Sequence, residues 1–161
     1  MLRHGTFIFT TAIMLMVITP AALPTQQKAG STQSSAQQDD PEANPPVTAA
    51  DLKIVQRARQ ILGRSSQWNR ADNRKCPNDA KTFSIYCALA MATKETNGNF
   101  AHRGAVMQQA RFVIDETAPN AKKYDHRLMD YNNDPSTTFD DVQKFFKLLE
   151  QRVALRLRNK K

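Results

Sequence analysis

The sequence predicts an all-α fold, a compact bundle of four to five helices behind an export signal and a disordered linker. Three observations carry this reading. Apolar residues recur at helical spacing in several separate stretches, most of these stretches are bounded by capping chemistry, and no convincing alternating strand appears. The 161 residues hold 23 Lys and Arg against 15 Asp and Glu, a formal charge of +8, with two cysteines and one tryptophan.

Arg3 followed by the mainly apolar run Phe7 to Ile18 reads as a signal peptide over residues 1–22, with Thr19 and Ala21 as the small residues before a cut. No charge appears between His4 and Gln27, so an uncleaved membrane anchor is the alternative for the same run. Residues 23–47 contain almost nothing large and apolar, and such a segment buries too little surface to offset its ordering entropy. It is expected to be a disordered linker. Without Arg3 and the linker's net −2, the remaining domain, 48–161, carries +9. A signal peptide places the protein outside the cytoplasm, secreted or periplasmic.

In the domain, Thr48-Ala49-Ala50-Asp51 has capping-box spacing, with Asp in place of Glu. Ile54, Val55, Ala58, Ile61 and Leu62 then form the core stripe of the first helix, and Gly63 is placed to end it. Residues 64–79 lose the pattern and read as a long loop interrupted by Trp68, expected to plug the edge of the core. The second helix is expected to be capped by Asn78 or Asp79 and to end at Asn97-Gly98. It is apolar over much of its circumference (Phe83, Ile85, Tyr86, Cys87, Leu89, Ala90, Met91) and so the best candidate for the central element. A third helix is predicted from Phe100 to Glu116, stopped by Pro119, and a short one over Ala121 to Met129. The last helix begins at Thr137 or Thr138, both with an acid three residues on, and carries Val142, Phe145, Phe146, Leu149 and Val153.

Cys76 and Cys87 are expected to pair as a disulfide, the default for two cysteines in an exported chain. His102-Arg103 and His126-Arg127 are two His-Arg pairs whose spacing does not require them to converge. Arg152, Arg156, Arg158, Lys160 and Lys161 make a basic patch at the C-terminus, in part a complement to the helix macrodipole.

The run Asp130 to Asp141 is the densest cluster of acidic, amide and hydroxyl side chains. Counted as a twelve-residue calcium loop, it offers Asp130, Asn132, Asp134 and Asp141 as metal ligands between two helices. Pro135, at the position where such a loop needs a positive φ, opposes that reading. The same residues also serve as punctuation, turning one helix off and capping the next.

This run as far as Val142, with Trp68 and Ser84-Ile85-Tyr86-Cys87-Ala88-Leu89 upstream, resembles a family of small bacterial all-helical domains of unknown function. Those domains carry an aromatic-Asn-Asp element, then Thr and Asp-Val, before their last helix. The resemblance covers roughly residues 50–150 and implies the helical fold. It supplies no catalytic residues.

No Gly-rich phosphate loop, Gly-x-Ser-x-Gly or His-Glu-x-x-His element is present, so the reading leans away from an enzyme. The expected function is an exported domain that binds a protein or an anionic component of the cell envelope. Nucleic acid is not an expected partner, because few aromatics interleave the charges, and membrane contact is expected only if the N-terminal segment stays uncleaved. The alternatives are a calcium-binding domain using the 130–141 run and a small hydrolase using Cys87, His102 or His126.

Overall fold

A computed structural model describes residues 43–159. The signal-peptide or anchor reading, most of the linker, and Lys160 and Lys161 lie outside the described residues. Five helices follow in order: α1 (Ala49–Ile61), α2 (Ile85–Asn97), α3 (Ala105–Thr117), α4 (Arg127–Asn133) and α5 (Phe139–Arg158). Two single 3₁₀ turns, Ser65–Gln67 and Ala121–Lys123, sit in the connections. Among the described residues there is no strand, only an isolated bridge between Trp68 and Phe83. None of the described helices is long and apolar enough to cross a membrane.

The predicted stripes supply most of the core, with Ile61, Phe83 and Met91 only partly buried. α2 is buried without a break from Ile85 to Ala90, and α1 packs against it and against α5. α3 lies against α5 and α4, and Val142, Phe145, Phe146, Leu149 and Val153 of α5 close the bundle. Capping chemistry fixes both helix starts that local spacing predicts. The Asp51 carboxylate accepts from the Thr48 backbone N–H at 2.7 Å. On α5, Thr138 and Asp141 cap each other reciprocally, at 3.0 and 3.2 Å. Gly98 ends α2 in the left-handed conformation, φ 77°, as the Asn97-Gly98 turn implies. Gly63 does follow α1, but without a positive φ.

Three boundaries differ from the sequence expectation. α2 starts at Ile85, with Ser84 and not Asn78 or Asp79 as its cap, the hydroxyl accepting from Cys87 N at 3.1 Å. Its predicted first turn is drawn off by tertiary pairing: Phe83 N–H donates to Gln67 O and Asn69 N–H to Phe83 O. α3 starts at Ala105, because Ala101 to Gly104 close a turn (Gly104 N–H to Ala101 O, 3.0 Å) and Phe100 packs edge-on against Tyr86. The short helix lies later than 121–129. Asp130 caps the free N–H of His126 at 2.7 Å, so helix α4 runs through Asp130–Asn133, where the sequence suggested a break. The break itself is only Asp134 to Thr138.

The acidic run holds the long 64–84 segment onto this bundle. Asn132 is fully buried: its Oδ1 accepts from Trp68 Nε1 at 2.9 Å and from Ile85 N at 3.1 Å, and its Nδ2 donates to Asn69 O at 2.9 Å. Trp68 is thus the core plug expected of it, with Phe139 beside it and the Arg70 guanidinium over its face. Asn133 clasps Asp72 by both backbone groups, accepting from its N–H at 2.7 Å and donating to its C=O at 2.8 Å.

Candidate anion-binding cleft

The clasp at Asp72 sets the backbone that follows. The Asp72 carboxylate accepts from Arg74 N at 2.7 Å, and Arg74 takes a left-handed φ of 60°, unusual for a residue with a Cβ. Two residues later Cys76 is bridged to Cys87 on the first turn of α2, with Cα atoms 5.3 Å apart. The expected disulfide is therefore present, and Cys87 has no thiol to serve as a nucleophile. The sulfur bridge also ties Arg74 to the turn of α2 that carries Tyr86.

Arg74 and Tyr86 line one wall of a cleft of about 160 Å³. The opposite walls come from two turns distant in sequence: His102 just before α3 with Arg111 on α3, and Asp125, His126, Arg127, Leu128 and Met129 at the start of α4. The two His-Arg pairs therefore converge, which their spacing did not require. Both histidines and Arg127 face the cleft, and Arg103 stands close enough to act on His102.

The charges in this cleft are unbalanced. Arg111 stands four residues before Asp115, the spacing of a helical ion pair, yet Asp115 is taken by Arg127 from α4. Arg111 is instead held by neutral acceptors: Gln108 Oε1, the His102 backbone O at 3.1 Å and His102 Nε2 at 3.0 Å. Burial first, then Arg127, pull its pKa below the ordinary arginine value. Burial likewise lowers the His102 pKa, with Arg111, Arg74, Arg103 and His126 adding to the effect. The Tyr86 hydroxyl lies 3.3 Å from His102 Nδ1, and burial raises its pKa. Three guanidinium groups on three separate segments thus share a small concavity with one carboxylate, that of Asp125.

The calcium-loop residues are not gathered into a coordination sphere. Asp130 caps α4, Asn132 is spent in the core, and Asp141 caps α5. Asp134 accepts from Ser136 Oγ and N, Tyr124 Oη and Asn120 Nδ2. Among the described residues no group of three or more His, Cys, Asp or Glu is placed to hold a metal ion. The hydrogen bonds from Ser136, Tyr124 and Asn120 hold the Asp134 carboxyl well below the usual aspartate range. A depressed carboxylate pKa contributes stability that is complete above the unfolded value near 3.9 and is lost as pH falls below it. Asp134→Asn is therefore expected to lower the thermal midpoint at pH 7 and to flatten the acid-side loss of stability below about pH 4. Melts followed by circular dichroism between pH 2 and 7 measure both.

Of the expected basic patch, one member differs from expectation. Arg152 is only 20% exposed and is bound to Glu116 at 2.7 Å and to the buried Gln109 at 2.8 Å, with its guanidinium over the Phe112 ring. It ties α5 to α3, a role that i, i+4 periodicity does not reveal. Arg156 and Arg158 remain on the last turn of α5.

Fold and cleft together define a small, disulfide-stapled, all-α domain with a concentrated cationic concavity. The chain belongs to a family of unknown function, DUF6197, whose model matches residues 45–152. No curated protein and no solved structure matches it.

Proposed function

We propose that the domain is an exported binding module that recognises an anionic group on its partner, through the cleft formed by Arg74, Arg111 and Arg127. The observation that carries this is Arg111, a half-buried guanidinium whose natural helical partner, Asp115, is bound to Arg127. A cation placed this way is stabilised by an incoming anion, since taking a charge out of water is costly until it is paired. The net charge of +9 over residues 48–161 adds long-range attraction of the same sign. The disulfide supports the export part of the reading, since such bridges persist in oxidising compartments.

Calorimetric titration of the full chain with inorganic phosphate at low ionic strength tests it. Binding is expected to weaken as salt is raised and to fall at least tenfold in Arg111→Ala, the loss of a charge-assisted contact of about 1.5–3 kcal/mol. Arg74→Ala, at an exposed position, gives the same test without disturbing the core. Undiminished binding in both variants would place the anion elsewhere.

A further inference from the structure

Resting on that reading, we infer that the cleft is selective for a single tetrahedral oxyanion, a phosphate or a terminal phosphomonoester, and that the Tyr86 hydroxyl is the donor that distinguishes it from a carboxylate. The argument begins with the tautomer of His102. An arginine guanidinium only donates, so His102 Nε2, 3.0 Å from Arg111 Nη2, must be the unprotonated nitrogen. The ring proton then sits on Nδ1, which faces the Tyr86 oxygen at 3.3 Å. Nδ1 is the donor in that contact and Tyr86 the acceptor. Among the described residues the phenolic proton is left with no hydrogen-bond acceptor, on a residue that lines the cleft.

The free donors are therefore dispersed in direction. Arg74 comes from the loop, Tyr86 from α2, Arg111 from α3 and Arg127 from α4, whose Nε is used by Asp115 while its terminal nitrogens are not. A planar carboxylate presents two oxygens in one plane and is satisfied by one arginine fork. Donors converging from four segments suit a ligand with three or more oxygens spread over a tetrahedron. Size agrees. At about 160 Å³ the cleft lies below the roughly 300–1,000 Å³ of pockets that enclose whole organic ligands. It is sized for one terminal group and not for a run of polymer. Among the described lining residues the one carboxylate, Asp125, is outnumbered by Arg74 and Arg111 even with Arg127 paired to Asp115.

The test titrates the oxidised full chain with inorganic phosphate, phenyl phosphate and acetate under one buffer and salt condition. The expected result is binding of phosphate or phenyl phosphate at least tenfold tighter than acetate. A stronger response to phenyl phosphate identifies the end of a larger molecule as the source, and a stronger response to inorganic phosphate identifies the free ion. Tyr86→Phe is expected to lose about tenfold toward the phosphates and to leave acetate unchanged, with unaltered circular dichroism as the check on folding. Acetate binding as tightly as phosphate would overturn the selectivity while leaving the anion reading intact. Equal phosphate affinity in Tyr86→Phe would remove the role given to the hydroxyl. If none of the three ligands binds, the reading of the cleft itself falls.

Discussion

Replacing Cys76 and Cys87 together by serine, or reducing the bridge with a phosphine, is expected to cost about 3 kcal/mol. That is the chain-entropy value for a ring closed by two cysteines with a sequence separation of 11. For a domain of this size the thermal midpoint should fall by about 10 °C. The effect is expected to exceed simple destabilisation at the cleft. Arg74 holds a left-handed backbone that costs a residue with a Cβ roughly 1–2 kcal/mol, and residues 73–75 are exposed, with little packing to enforce it. Freed from the bridge, this segment should relax and phosphate binding should drop, even at temperatures where the helices remain folded. Paired melting curves and titrations with and without reductant measure the two effects separately.

The second large effect is expected at Asn132. Asn132→Ala leaves the Trp68 indole N–H, the Ile85 backbone N–H and the Asn69 carbonyl without their partner. At about 1–3 kcal/mol for each buried group left unsatisfied, a loss on the order of 4 kcal/mol follows, a large share of the 5–15 kcal/mol that holds a typical domain together. Urea denaturation measures it. Asn132→Asp is a sharper companion, because it keeps one acceptor but removes the donor to Asn69 and places a charge where the side chain is completely enclosed. Both variants should also weaken the clasp between Asn133 and Asp72, since Asn132 Nδ2 lies 3.2 Å from Asn133 Oδ1.

How much of this was legible in the sequence depends on the range of the interactions. Thr48 with Asp51 and Thr138 with Asp141 are three residues apart, so the first helix start was readable to the residue and the last to one of two adjacent threonines. The stripe of α5 was equally plain, because 3.6-residue periodicity is a local signal. The start of α2 was not, because the backbone of Phe83 is claimed by Gln67 and Asn69, partners no local rule supplies. Asn132 read as a turn former or a ligand; only the folded chain shows it facing inward. The cleft was half visible. His102 and His126 drew notice as members of His-Arg pairs, whereas Tyr86 read as part of an apolar helix and Arg74 and Arg111 belong to no motif. The one signal that bears on Arg111 misleads, because Asp115 at the helical spacing pairs with Arg127 instead. Arg152 departs from the basic patch for the same reason in reverse: its partners, Glu116 and Gln109, are on another helix.

The clasp of Asn133 on Asp72 has a consequence for how the chain can vary. Residues 72 and 76 are each pinned, one to α4 by two hydrogen bonds and the other to α2 by a covalent bond. Only three residues span these two anchors, and the middle one is Arg74. Adding or deleting a residue there forces one anchor to give way or swings the guanidinium out of the cleft. Between Cys76 and Phe83, which are also anchored, six residues intervene in place of three, and the turn at Pro77 to Ala80 is exposed over most of its length. Length changes among relatives of this domain should therefore gather after the first cysteine and avoid the four steps before it.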